Sequence, residues 1–254
     1  MERNIAVIGA GYWGKNLVRN FAQLGGLHTV CDLDMRTLSD LPAMDGVAFE
    51  RDFRSVIANP SIQGVVIAAP AQMHHGLAKE ALLAGKDVFV EKPLALNVQD
   101  GRELVELARA GNNILMVGHL LEYHPAMQAL RGMVANGDLG KLQYIYSNRL
   151  NLGKLRTEEN VLWSFAPHDI AAILGLMADE LPVEVTAHGA AYLNSHIVDV
   201  TLSTLTFASD VRAHIFVSWL HPFKEQRLVL VGSHAMAEFA DTDPTDKLKV
   251  YDHQ

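Results

Sequence analysis

Two residues in this chain carry the types and positions that could do acid–base work. The first is Lys92, in "VFVEKPLAL" at residues 88–96, where an apolar run of strand-forming residues ends in Glu91, Lys92 and Pro93. Strands ordinarily end in turn residues such as Gly, Asn or Asp. Here a cation follows the run, next to a proline with one allowed φ. Its ammonium can donate a hydrogen bond to the oxygen of a reacting carbinol and stabilise alkoxide charge as it develops. Glu91 is the residue expected to orient it. The second is His168, in "LWSFAPHDIAAILGL" at 162–176. A neutral imidazole can act as a general base and take a hydroxyl proton. The pattern predicts a helix over about 166–178, with Pro167 at its start and His168 in its first turn. Asp169 is adjacent in sequence, and adjacent helical residues do not share a face, so it is not expected to orient His168.

"GAGYWG" supplies Gly9, Gly11 and Gly14 in G-x-G-x-x-G spacing. The motif alone is weak, but a strand-like run precedes it, a helical stretch follows, and Asp32 closes the second strand. That context predicts a dinucleotide site: a tight turn, a close backbone approach to pyrophosphate, and a helix N-terminus facing the phosphates. Asp32 then accepts from the adenosine ribose and repels a 2′-phosphate, which selects NAD. Arg36 softens that repulsion, so NADP is disfavoured rather than excluded. Tyr12, Trp13, Ala69, Pro70, His74, Glu91 and Lys92 complete the candidate cofactor-binding set. His75, His119 and His124 read first as structural or cofactor-adjacent. The histidines do not cluster with acids at ligand spacing, so no metal site is expected.

These residues need a scaffold, and the first half of the chain describes one. Strand-like segments at 4–9, 27–32, 46–50, 64–69, 87–91 and 114–118 alternate with helical stretches at 13–25, 73–85 and 98–111. Near-continuous apolar strands between helices indicate an α/β domain, a doubly wound parallel sheet covered on both faces. After Gly118 the pattern changes to one helix near 123–137 followed by strand after strand. "VRAHIFVSWL" (211–220) places Val211, Ala213, Ile215, Val217 and Trp219 on one face. "VDVTLSTLTFA" (198–208) slips phase between Leu202 and Leu205, which predicts a β-bulge, and Ser209-Asp210 predicts a hairpin. The expected organisation is therefore a dinucleotide-binding domain over 1–118. An α+β domain over 119–254 follows, with an open, mostly antiparallel sheet for substrate binding and oligomerisation.

"GAGYWG" together with "AAPAQMHHGLAKEALLAGKDVFVEKPLA" (68–95) resembles the glucose–fructose oxidoreductase/inositol dehydrogenase/rhizopine catabolism (Gfo/Idh/MocA) family. The resemblance implies a Rossmann domain paired with an open-sheet substrate domain, Lys92 at the reacting oxygen, and His168 as the proton acceptor. Many members carry an Asp four residues before this His, where this chain has Ser164. Members usually continue past the last strand here, "KLKVYDHQ", so the chain reads as a natural short form or a C-terminally incomplete one. "NRLNLG…LW…APHD" resembles the branch that oxidises nucleotide-linked sugars. Candidate substrate contacts are Lys92, His119, Asn148, Arg149, Arg156, Trp163 and His168, with Lys154 a further loop cation. A free sugar or cyclitol is the alternative substrate, and a non-catalytic dinucleotide-binding regulator the alternative class.

Composition narrows the field. A net charge of −8 lacks the basic excess of a nucleic-acid binder. No apolar run reaches the roughly 20 residues of a membrane span. Cys31 is the only cysteine, which points to a reducing, cytoplasmic setting. One helix cannot cover both faces of the second sheet, so an exposed apolar face that includes Val217 and Trp219 is expected to form a homodimer or homotetramer.

Overall fold

The computed structural model describes residues 3–152, 159–178 and 180–253, and the chain divides into two compact units, Met1–Gly118 and His119–Gln254. In the first, β1 (Ile5–Ile8), β2 (Leu27–Cys31), β3 (Ala48–Glu50), β4 (Gly64–Ile67), β5 (Asp87–Val90) and β6 (Leu115–Val117) form one parallel sheet in the order β3-β2-β1-β4-β5-β6. The strand order reverses beside β1, where an open α/β sheet leaves a crevice for ligand at the carboxyl ends of its strands. The β4 run Gly64–Ile67 is buried along its whole length, as a two-sided parallel sheet requires. Helices α1 (Gly14–Gln23), α4 (Ala71–Leu83) and α5 (Val98–Gly111) supply the crossovers. Two short helices went unread in the sequence: α2 (Met35–Ser39) and α3 (Phe53–Ala58). Each is started by an aspartate, Asp34 and Asp52, whose carboxylate accepts from the backbone N–H two residues on.

The second unit opens with a 3₁₀ turn (Leu120–Tyr123) and α6 (Pro125–Asn136), which His124 caps through Nδ1. Then β7 (Leu142–Leu150), α7 (Val161–Leu176), β8 (Glu184–Ala190), β9 (Val200–Thr206), β10 (Arg212–Ser218), β11 (Glu225–Gly232), β12 (Ala235–Ala240) and β13 (Leu248–Asp252) follow. Their sheet runs β13-β12-β11-β7-β10-β9-β8, antiparallel except where β7 lies parallel to β10. Ile145, Ile215, Val217, Leu205 and Leu230 on one face join Ile173 and Leu176 of α7 in the core.

Three expectations are corrected here. The β9–β10 register is unbroken from Val200 to Thr206, so there is no bulge. The phase slip in the sequence arises because β9 buries Thr201 and Ser203 and leaves Leu202 outward at 46 % exposure. Val217 and Trp219 are 0 % and 2 % exposed, because their face is the one α7 covers. The uncovered face is the opposite one, carrying Tyr144, Tyr146, His214 and Phe216. Finally, α7 begins at Val161, with Asn160 accepting from the Trp163 N–H, and Pro167 lies inside the helix. His168 is therefore in the second turn. Pro167 removes one internal hydrogen bond there.

Candidate cofactor cleft and catalytic residues

In the first unit, β1 turns into α1 through the glycine loop. Gly9 has φ +89, and a Cβ on it would come within 2.8 Å of the Ala68 carbonyl; a Cβ on Gly14 would lie 2.0 Å from the Gly9 carbonyl. Both positions must be glycine for the loop to lie against the end of β4. A Cβ on Gly11 would meet nothing within 4 Å, since this residue borders open space. That space is a cleft of about 220 Å³ lined by Gly9, Gly11, Asp32, Ala69 and Pro70 together with the apolar Leu33, Phe53, Met73 and Leu77. α1 starts without a side-chain cap, and in its first turn the Lys15 and Asn16 N–H groups donate to the Gly11 and Trp13 carbonyls at 3.1 and 2.9 Å.

Asp32 is fixed by two backbone donors: Ala10 N–H to Oδ2 at 2.8 Å and Asp34 N–H to Oδ1 at 2.9 Å. Arg36 is committed to Asp34, with Nε and Nη2 at 3.2 and 3.0 Å from its carboxylate, so its charge is largely neutralised beside the cleft. A glycine cradle open to the cleft and an anchored aspartate are the features a dinucleotide requires, and the residues fit NAD.

The lysine corner is built from the same loops. Glu91 is buried, and its Oε1 accepts from Trp13 Nε1–H at 2.8 Å. Its carboxylate therefore ties the glycine loop to the end of β5 rather than serving only to orient Lys92. Burial pushes the Glu91 carboxyl above the ordinary range, against the opposing pull of the Trp13 hydrogen bond and of Lys92 and His74. Lys92 is half-buried and joined to Pro93 by a cis peptide bond. His74 is buried, with Nδ1 2.7 Å from the Pro93 carbonyl and Nε2 2.8 Å from the Ala69 carbonyl. It fastens the lysine corner to a loop that lines the cleft. His75 points the other way, to Glu103 at 2.6 Å, so the two histidines are not a ligand pair. Among the described residues no group of three or more His, Cys, Asp or Glu is placed to hold a metal ion. Tyr12 is almost fully exposed and Trp13 half-exposed on the loop.

The elevated Glu91 carboxyl has a measurable consequence. Between its ordinary value in the unfolded chain and its raised value in the fold, the folded form holds the extra proton, so stability falls as pH rises through that window. Glu91→Gln keeps an acceptor for Trp13 and deletes this component. Urea midpoints of variant and parent should coincide at the acid end and separate above the window, with the variant higher. Parallel curves throughout would show that the carboxyl is not shifted.

In the second unit, α7 presents Ser164 and His168 one turn apart on one face, with Ser164 buried where the resembling family carries Asp. The His168 and His119 rings meet edge-on, 6.3 Å between centroids. Trp163 is partly exposed in the first turn. Asp169 turns into the core. Its Oδ2 accepts from Arg149 Nε at 2.7 Å, and its Oδ1 accepts from Ser147 Oγ at 2.7 Å and Arg149 Nη2 at 3.2 Å. With Arg149 9 % and Asp169 4 % exposed, this guanidinium clamps α7 to β7 through Nε and Nη2 rather than standing on an open loop as expected. Asn148 is also separated from the α7 side: strand alternation puts it on the uncovered face, where it donates to Glu225 Oε1 at 3.1 Å. Lys154 and Arg156 lie outside the described residues.

Two features escaped sequence reasoning. The Ser147–Asp169–Arg149 network joins residues about twenty positions apart, and no motif marks it. Arg51, which lines the cleft, follows a three-residue strand with no spacing signal.

Residues 3–119 match the model of an oxidoreductase family with an NAD-binding Rossmann fold, and residues 127–238 match the GFO/IDH/MocA C-terminal domain. The crystal structure of a protein assigned as an oxidoreductase from Magnetospirillum magnetotacticum superposes with TM-score 0.89 at 30% identity, covering 100% of this chain and 82% of that one. The UDP-N-acetylglucosamine 3-dehydrogenase of Acidithiobacillus ferrooxidans is 27% identical over 92% of this chain and 73% of its own length. An inositol 2-dehydrogenase of Burkholderia lata is 26% identical over 95% and 75% respectively.

Proposed function

Because the chain belongs to the NAD-binding GFO/IDH/MocA oxidoreductase family, we propose that this NAD-dependent dehydrogenase acts on a secondary alcohol of a nucleotide-linked sugar. The observation that carries the reading is the Lys92 corner. It closes a central parallel strand and is fastened by His74 and Glu91 to the loops of the cofactor cleft. Bound NAD supplies the hydride acceptor. In this reading Lys92 donates a hydrogen bond to the reacting oxygen and stabilises its alkoxide character, while His168 takes the hydroxyl proton. Ser164, one turn before His168, adds no second carboxylate, so the proton has one acceptor. The pattern "NRLNLG…LW…APHD" and the likeness to a UDP-N-acetylglucosamine 3-dehydrogenase support a nucleotide-linked substrate. The likeness to inositol 2-dehydrogenases supports a cyclitol or free sugar as the second reading.

The deciding experiment is reduction of NAD, read by absorbance, across UDP-sugars, free sugars and inositol at equal concentration. A nucleotide sugar is expected to turn over fastest. Preference for inositol would establish the second reading. NAD binding without turnover of any alcohol would make the chain a dinucleotide-binding regulator and overturn both.

The second unit is also proposed to join copies of the chain. α7 covers one face of its sheet, and the other carries Tyr144, Tyr146, His214, Phe216 and the outward Leu202. Tyr146 stacks on His214 at 5.6 Å between centroids, and the Tyr144 hydroxyl bonds the His214 Nδ1. An aromatic face of this kind, bordered by polar residues, is the surface a second copy would cover. Sedimentation at micromolar concentration should show a homodimer or homotetramer; a stable monomer would refute it. No described helix is long and apolar enough to cross a membrane. The single buried cysteine is consistent with a reducing cytoplasm.

A further inference from the structure

Arg51 stands just past β3 (Ala48–Glu50) and lines the same cleft as Asp32 and Gly11. Apart from Glu50, whose charge reaches Cys31, the surrounding charges are committed. Asp32 is held by two backbone N–H groups and Arg36 by Asp34; Asp52 caps α3, and Arg54 pairs with Glu80 at 3.3 Å. Among the described residues, Arg51 is the only cation lining the cleft, and it forms no hydrogen bond or ion pair with them. Its charge nevertheless reaches Asp34, whose carboxyl is held low first by Arg36 and in smaller part by Arg51. The same cleft is lined by Leu33, Phe53, Met73 and Leu77, an apolar surface suited to a purine ring. Asp32 marks the ribose of a bound dinucleotide, and Arg51 shares the lining of that cleft with it.

We propose that Arg51 is the specificity-determining cation of the adenosine site, opposing Asp32 over a ribose 2′-phosphate. A guanidinium meets phosphate oxygens in a bidentate fork, and an uncommitted one needs no existing pair broken to do so. The 2′-hydroxyl of NAD offers it no anion. Arg51 thus contributes more to NADP than to NAD, while the fixed Asp32 carboxylate holds the balance toward NAD. This inference rests on the NAD cleft of the first unit and is independent of the sugar assignment.

The test is titration of NADH and NADPH by nicotinamide fluorescence with five proteins: parent, Arg51→Gln, Arg51→Lys, Asp32→Ser and Asp32→Ser/Arg51→Gln. Removing Asp32 should tighten NADPH by at least about tenfold relative to NADH, a difference of about 1.4 kcal/mol. Adding Arg51→Gln should abolish that gain, and the gain should shrink with added salt. Arg51→Gln alone should weaken NADPH more than NADH, and Arg51→Lys should restore part of the difference. Equal NADPH affinity in Asp32→Ser with and without Arg51 would overturn the proposal. Equal weakening of both nucleotides by Arg51→Gln would also overturn it, since that outcome marks a general contact such as stacking on adenine. NADH binding by the parent reports separately on whether the cleft holds the cofactor at all.

Discussion

Lys92→Met is expected to slow the hydride-transfer step by about 10²- to 10⁴-fold, the contribution typical of a positioned acid–base group. The methionine keeps much of the lysine volume, and the corner retains its other ties: Trp13 to Glu91, and His74 to the carbonyls of Pro93 and Ala69. The loss therefore falls on chemistry far more than on NADH affinity. His168→Asn, a polar side chain that cannot act as a base near neutral pH, produces a loss of similar size. The two losses should combine to less than their product, since in the proposed mechanism both groups act on one proton transfer. Single-turnover measurement is required, since slow NADH release would mask the chemical step. Turnover of Lys92→Met within a few-fold of the parent would reduce Glu91-Lys92-Pro93 to a structural corner.

The second large effect is on stability. Arg149→Met leaves the Asp169 carboxylate buried beside Ser147 with its cationic partner gone. Removing one member of a buried pair typically costs about 3–5 kcal/mol, because an uncompensated charge remains in the interior. The melting of the second unit, followed by urea titration, should shift accordingly. Arg149→Met combined with Asp169→Leu should recover most of the loss, since no charge is then stranded. A single-variant loss below about 1 kcal/mol would place the pair in the class of solvent-screened surface bridges.

What was readable in the sequence was local. The glycine spacing, the strand before it, the helix after it and Asp32 at the end of β2 are consecutive elements of one βαβ unit. Their function follows from backbone geometry that neighbouring residues dictate. The apolar phase from Val211 to Trp219 likewise grouped those side chains on one face, but read as an exposed interface rather than as the core it proves to be. β8 passed unread because its residues Glu184–Gly189 are all exposed and only Val185 and Ala187 carry its apolar alternation. α2 and α3 passed unread because five and six residues are too short to show one, although their capping aspartates stand in the sequence.

Other features depend on which elements become neighbours. An alternating strand has an inside and an outside, but only the helix that lands on it decides which is which. Val217 and Trp219 are core because α7 lies over them, and the aromatic face of Tyr144 and Tyr146 is the one left open. The same packing buries Thr201 and Ser203 and turns Leu202 outward, against their polarity. It also pairs Arg149 with Asp169, burying a guanidinium expected on an open loop. In the first unit the reverse occurs. Arg36, close in sequence to Asp32, is neutralised by Asp34, and Arg51, brought in by the pairing of β3 with β2, is the cation left facing the cleft. Residue type and spacing determined that the chain binds a dinucleotide; the pairing of strands decided which charges line its cleft.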